Sequence, residues 1–431
     1  GHAQPPLSVR KPRRPGARRG RPLAAGTHEP AAGIQFRPVA PGARRSGSDY
    51  LERARALAPK IAAAADEIER TRRLPEPLLD ALLDAGLFRM LLPRWLDGAE
   101  LDPVSYAEVI EEVARTDAST AWVLGQTSGC SLSAAYLDPA VARRIFGDRR
   151  AILAWGPGPD ARAVAVEGGY RITGTWTFAS GGRHATWLGG YCPILEPDGT
   201  PRRGPDGSPE GRTMLFPASA ATWHDVWDVI GLRGTGSDSY SVSDLWVPAE
   251  HSLARDEAAE RRERGPLYLF TANNLFASAF ASVALGIARA FIEAFVELAQ
   301  GKVPRGATRP IRDNAVVQAQ VALAEARVRS ARAFLLGSLR EIWDEVARTG
   351  VLRLDQRVTI RLAATHAIHQ AGRAVDALYH AAGATVIFAA AGFERRFRDL
   401  HTVAQQVQGR QAHFESVGRF LLGLEPDTTW L

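Results

Sequence analysis

Cysteine and methionine are scarce in this chain of 431 residues, with two of each. Cys130 and Cys192 lie far apart without metal-like spacing, which excludes a disulfide scaffold and a cysteine-based zinc site. A reducing cytoplasm is the expected compartment. Every long apolar run is interrupted by charged or polar residues before it reaches roughly 18 residues, so no transmembrane helix is expected. No apolar signal-peptide core follows the basic N-terminus. A GxGxxG after a strand-like run and a P-loop are both missing, which argues against a Rossmann-type cofactor site.

Acidic residues are nearly missing from the first 46 positions, which hold ten Lys or Arg and one acid, Glu29. The formal charge of the whole chain is +6, so this segment, at +9, leaves −3 for the remainder. The globular part is therefore mildly acidic, which argues against nucleic acid as its partner. Residues 1–46 are also rich in Pro, Gly and Ala and cannot bury enough surface to fold. They read as a disordered tail, an extended translation start, or in part a cloning remnant at Gly1-His2. A basic arm of this kind could bind phosphate through nonspecific charge.

The length allows about three domains, and the pattern changes character twice. Residues 47–149 read as helical. Ser48 and Asp49 can cap a run with Leu51, Leu57 and Ile61 at apolar spacing, Pro75 starts a helix ending near Gly86, and further helices cover 103–115 and 118–136. Residues 150–265 carry short alternating runs at 163–166, 170–179, 213–216 and 240–247, with a turn-rich insertion at 196–212. Six tryptophans fall in this block, Trp155, Trp176, Trp187, Trp223, Trp227 and Trp246, and core packing is expected for most of them. Residues 266–431 return to long helical runs at 267–300, 312–349 and 355–382, with a terminal helix at 394–421.

The most informative segment is Gly174–Trp187, GTWTFASGGRHATW. It reads as an alternating strand that breaks at Ser180-Gly181-Gly182, with Thr175, Thr177 and Ala179 on one face and Trp176 and Phe178 on the other. A hydroxyl and free backbone groups at a strand end suit a flat, hydrogen-bonding ligand.

Several segments together resemble the acyl-CoA dehydrogenase fold from about Ser46 to the end. They are Asp117-Ala118-Ser119-Thr120-Ala121-Trp122, the Trp176–Trp187 segment, Gly231-Leu232-Arg233-Gly234-Thr235, Asp244-Leu245-Trp246-Val247-Pro248, and Arg395-Arg396-Phe397-Arg398-Asp399. The implied fold class is α+β, with an N-terminal all-α domain, a middle β-barrel domain and a C-terminal four-helix bundle. Within that family the chain looks more like the flavin-dependent monooxygenase branch, whose mark is the serine of a Ser-Gly turn after a tryptophan strand. That residue is Ser180.

Chemistry points the same way. Acyl-CoA dehydrogenation needs a carboxylate base to remove a proton beside the thioester carbonyl. The two family positions for it fall here near Val407 and within 267–292, a stretch without Asp or Glu. An oxygenase instead keeps water from a flavin 4a-hydroperoxide and preserves the proton on the neighbouring ring nitrogen. The resemblance assigns Ser180 to accept a hydrogen bond from that nitrogen, with Phe178 and Trp176 as apolar walls.

Two departures from the family pattern bear on the substrate. Gln406 stands where many relatives carry a histidine, eight residues after Arg398, and Cys130 stands where phenol-hydroxylating relatives can carry another, eight after Trp122. Glutamine orients a substrate but exchanges no proton near neutral pH. On one continuous helix, Asp399, Gln406, Arg410 and His413 fall within about 60° of one another, which makes His413 a candidate catalytic group. Trp122 and Cys130 would border a substrate that is not an ionisable phenol, such as an indole or a sulfur or nitrogen centre.

The resemblance further implies that flavin phosphate is held by the β block and by a basic residue near the second bundle helix of a neighbouring subunit. Arg305 is the candidate, with Lys302 and Arg309 as alternates. Gly383 lies in a small-residue segment where backbones approach closely, and Trp155, Trp176 and Asp399 complete the cofactor set. Reduced FMN or FAD, with FAD favoured, would come from a separate NAD(P)H-dependent flavin reductase and react with O2 in a homotetramer. The competing readings are an acyl-CoA dehydrogenase with a relocated base, and a noncatalytic flavin-fold or DNA-associated protein using the basic tail.

Overall fold

Aspartates followed by small or proline residues start most of the N-terminal helices. The computed structural model describes residues 45–204 and 207–431. The basic tail lies outside the described residues, apart from Arg45 and Ser46 at the start of α1 (Arg45–Thr71). Helix α2 (Glu76–Asp84) follows Pro75. Asp102 accepts hydrogen bonds from the Val104 and Ser105 amides and opens α3 (Pro103–Thr116). Asp117 does the same with Thr120 for α4 (Ala118–Ser131), and Asp138 with Ala140 for α5 (Pro139–Phe146), a helix the sequence reading passed over. All but one residue of α4 are buried, as expected of a helix without a polar face.

The middle block is an eight-stranded mixed sheet. Its strands are β1 (Leu153–Ala154), β2 (Arg162–Val166), β3 (Gly169–Trp176), β4 (Trp187–Leu195), β5 (Gly211–Pro217), β6 (Thr222–His224), β7 (Ser239–Pro248) and β8 (Ser252–Leu253). The order is β6-β7-β3-β2-β4-β5-β8, with β1 paired to β4. Neighbours are antiparallel except β1–β4 and β2–β4, which are parallel. Strand β4 escaped the alternation pattern because Gly189, Gly190 and Pro193 interrupt it. The reason for Gly190 is steric, since a Cβ there would lie 2.5 Å from the Trp176 ring.

Only two of the six tryptophans in this block are buried. Trp176 is fully enclosed and stacks on Tyr240, with ring centroids 5.5 Å apart, and Trp155 is nearly enclosed. Trp223 and Trp246 are exposed, and Trp187 and Trp227 half-buried. This corrects the expectation of core packing for most of them.

The C-terminal block contains α6 (Ala272–Gly301), α7 (Ala315–Thr349), α8 (Leu354–Ala382), α9 (Phe393–Gln405) and α10 (Ala412–Leu421). Thr271 and Asn274 form a reciprocal cap at the start of α6. By length and composition α6 could cross a membrane, contrary to the sequence expectation, but its apolar window is 94% buried inside the structure. It is the central core helix, packed against α3, α4, α7, α8 and α9.

The expected single terminal helix is broken. The backbone at Gln406 turns extended, with ψ 153°, and a 3-10 turn covers Val407–Gly409 before α10 begins. Side chains of α8 hold this break. The buried Arg361 guanidinium bonds Gln408 Oε1 and, through Nε at 2.9 Å, the Trp430 carbonyl; His369 Nε2 lies 2.9 Å from the Gly409 carbonyl. These long-range contacts outweigh the local helical pattern.

Close approach between α4 and α6 positions the site. A Cβ at Gly129 would lie 2.2 Å from Cε1 of Phe276. Gly129→Ala is therefore expected to cost about 1–3 kcal/mol by overpacking, read as a lower midpoint of thermal unfolding. Gly372→Ala is the control, because a Cβ there meets nothing within 4 Å. An unchanged midpoint for Gly129→Ala would contradict the tight α4–α6 contact.

Candidate active site

Strand β3 leads into a tight turn in which Phe178 and Gly181 both take positive φ, 56° and 78°. The turn is stitched to residues 235–238. The Ala179 amide donates to the Asp238 carbonyl at 3.1 Å and the Gly181 amide to the Thr235 carbonyl at 3.0 Å. Ser180, 5% exposed, is set between these segments. Its Oγ accepts from Trp122 Nε1 at 3.1 Å and lies 2.6 Å from Ser237 Oγ, which lies 2.6 Å from Thr235 Oγ1. Trp122, from α4, stacks on Phe280 of α6 with centroids 3.8 Å apart and planes within 6°. All three layers of the fold thus meet around one hydroxyl.

The turn also corrects one of the two proposed walls. Trp176 faces the sheet core and donates to the Tyr191 carbonyl at 3.3 Å, so it presents no surface to a cofactor. Phe178 is 60% exposed and meets Trp227 edge to face at 5.9 Å. The strand ends at Trp176, and the left-handed backbone at Phe178 breaks the alternation that had put both rings on one face.

Cys130 is fully buried, and burial pushes its thiol up to about 12, so it stays protonated. Gln126, which sequence reasoning missed, donates from Nε2 to the Trp155 carbonyl at 3.1 Å and approaches Cys130 Sγ at 3.6 Å. It thereby ties α4 to Trp155, whose ring lies 5.7 Å from the Arg255 guanidinium.

On the bundle side, Asp399 Oδ1 accepts the Leu232 amide at 2.6 Å. Arg398 on the same helix pairs with Glu394 at 2.5 Å and Glu69 at 2.9 Å and donates to the Ile230 carbonyl. Helix α9 thus clamps the 230–235 loop, and the loop carries Thr235 to Ser237 and Ser180. Leu232, Thr235 and Ser237 were missed as site residues. The Gly231–Thr235 motif marked the fold, but nothing in it announced a hydroxyl chain. Leu232 takes positive φ, 51°.

The helical break falls just after Gln406 and takes His413 off the face assigned to it. Gln406 Oε1 accepts the Gln408 amide at 2.7 Å. His413 is buried with Nε2 2.7 Å from the Val407 carbonyl, and burial lowers its pKa. It is a neutral histidine holding the turn, which corrects its reading as a catalytic group.

Arg305 and Gly383, far apart in sequence, line one open groove of about 690 Å³ together with Lys302, Val303, Ala384 and Thr385. Gly383 ends α8 with φ 62°, and Lys302 Nζ donates to Thr385 Oγ1. Arg305 is exposed. A guanidinium and an ammonium beside a positive-φ glycine suit a phosphate, so the donor set fits the phosphate end of a flavin nucleotide. Arg309, the other alternate, does not line the groove.

A helical layer, a mixed sheet and a long-helix bundle meeting at a buried serine define the acyl-CoA dehydrogenase-like class. The chain belongs to the acyl-CoA dehydrogenase family, with residues 49–140 matching its N-terminal domain and 278–410 its C-terminal domain. Among curated relatives, indole-3-acetate monooxygenase of Pseudomonas putida is 28% identical over 361 residues, covering 84% of this chain and 90% of that protein. The p-hydroxyphenylacetate 3-hydroxylase oxygenase component of Acinetobacter baumannii is 27% identical, covering 89% and 91%. The solved structure of XiaF from a Streptomyces species, in complex with FADH2 and glycerol, superposes with a TM-score of 0.81 at 27% identity, covering 89% of this chain and 98% of that one.

The environment of Asp399 generates a pH prediction. Burial, followed by the neighbouring Asp117 and Glu69, raises its pKa from the ordinary 3.8 to about 7, against the Leu232 amide and Arg398. Through this window the unfolded chain has released the proton that the folded one keeps, so stability falls as pH rises. Asp399→Asn is expected to flatten the fall in unfolding midpoint between these values, leaving the part due to Asp117 and Glu111, whose carboxyl pKa values burial also raises. A slope equal to that of the unaltered protein would contradict a protonated Asp399.

Proposed function

We propose that the chain is the oxygenase component of a two-component flavin-dependent monooxygenase. It uses reduced FMN or FAD and O2 to hydroxylate or oxidise an aromatic, heteroaromatic or heteroatom-containing small molecule. The observation that carries this reading is Ser180, a nearly buried hydroxyl at the meeting of all three layers, together with the terminal-helix carboxylate Asp399 being enclosed and already bonded to a backbone amide. A dehydrogenase base needs an accessible, ionised carboxylate.

Reduced flavin, when bound, supplies the electrons that activate O2. Ser180 would hold it, its Oγ offering an acceptor to the flavin N5–H and so keeping that proton in place. Trp122, stacked on Phe280, forms a rigid apolar wall that excludes water. Arg305, with Lys302 and Gly383, holds the phosphate from a neighbouring subunit of a homotetramer. The side-chain amide of Gln406 orients the substrate.

The absence of histidine at Gln406 and Cys130 favours a substrate that reacts without prior deprotonation, an indole ring or a sulfur or nitrogen centre. The monooxygenase of P. putida is named for an indole acid. The reductase is a separate NAD(P)H-dependent flavin reductase, and the site of action is the cytoplasm. The domain division 47–149, 150–265 and 266–431 is part of this proposal.

Ser180→Ala tests the assignment. With reduced flavin and a turned-over substrate, a larger share of the O2 consumed is expected to leave as hydrogen peroxide, and product per O2 to fall. Coupling equal to that of the unaltered protein would remove Ser180 from the mechanism.

A further inference from the structure

The hydrogen bonds around Ser180 have a direction that follows from counting protons. Thr235 Oγ1 lies 2.8 Å from the Leu232 carbonyl oxygen, which can only accept, so the single hydroxyl proton of Thr235 goes there. The opposite arrangement would set lone pairs of two oxygens against each other. In the 2.6 Å contact between Thr235 and Ser237, Ser237 is then the donor. Its proton being used, Ser180 donates in the 2.6 Å contact between Ser180 and Ser237. Trp122 Nε1, a donor only, occupies one lone pair of Ser180 Oγ.

The far end of the chain is anchored. The Leu232 amide donates to Asp399, and its carbonyl also accepts from Trp227 Nε1 at 3.1 Å and, more distantly, from the Thr235 amide at 3.2 Å, which leaves the 2.8 Å Thr235 hydroxyl contact the shortest of the three. Ser237 is 2% exposed and Thr235 likewise, so water cannot readily replace a lost link. Ser180 is left with one acceptor lone pair and no proton to give.

We propose that Thr235 and Ser237 are positioning residues that hold Ser180 as an obligate hydrogen-bond acceptor and thereby make the site select reduced over oxidised flavin. The inference rests on the proposed function. Reduced flavin carries a hydrogen on N5, which an acceptor satisfies. Oxidised flavin presents only a lone pair there, which an acceptor repels. Breaking the chain frees Ser180 to rotate and donate, so the oxidised form gains what it lacked.

The test is anaerobic titration of oxidised and photoreduced FMN and FAD into the full chain and its Ser237→Ala, Thr235→Val, Ser237→Thr and Ser180→Ala variants. The unaltered protein is expected to bind reduced flavin more tightly. Ser237→Ala and Thr235→Val should narrow the ratio of the two dissociation constants by about fivefold to tenfold, mainly through tighter binding of the oxidised form. Ser237→Thr, which keeps the hydroxyl, should restore it. A purely structural role weakens both forms alike and leaves the ratio unchanged, and that result in both variants overturns the inference. If Ser180→Ala shifts the ratio while Ser237→Ala and Thr235→Val do not, only the chain falls. If the unaltered protein binds neither flavin, the proposed function falls with it.

Discussion

The hydrogen bond from the Leu232 amide to the buried Asp399 carboxyl joins the terminal helices to the sheet, and the rest of the site is built outward from it. It fixes a loop whose carbonyl receives Thr235, whose hydroxyl receives Ser237, which receives Ser180. On the opposite side, Trp122 donates to the same serine and leans on Phe280. Because each layer of the fold contributes a member, the placement of Ser180 depends on tertiary packing and not on the flexibility of its own turn. Buried polar groups are costly unless every partner is present, which favours a single arrangement.

The same geometry separates two chemistries that this fold can host. Proton abstraction beside a thioester calls for an ionised carboxylate facing the substrate. Asp399 is instead enclosed, and its pKa is raised to about 7. Carboxylates are missing from the buried face of α6 as well. What remains is a hydroxyl, an indole N–H and apolar rings, a set suited to holding a proton on a ring nitrogen and keeping water out.

Much of this was legible in the residues. The three blocks follow from helical and alternating periodicity; the interruption of a strand points to Ser180, and the family resemblance points to Arg305 and Gly383, which line one groove. What escaped was non-local. Strand β4 is hidden by Gly189 and Gly190, which make room for tryptophans distant in sequence. The break at Gln406 is held by Arg361 and His369 from another helix, so the helical wheel that placed His413 in the site could not detect it. Trp176 and Phe178 part company because one residue takes positive φ. Ser237 and Thr235 are ordinary small polar residues until the fold aligns their hydroxyls.

The central claim is oxygen transfer from reduced flavin without a carboxylate base. Its most direct test is product mass after single turnover of the protein with chemically reduced flavin, an indole substrate and ¹⁸O-labelled O2. The account predicts a product carrying one labelled oxygen atom. An unlabelled product, together with anaerobic bleaching of oxidised flavin by an acyl-CoA, would contradict it.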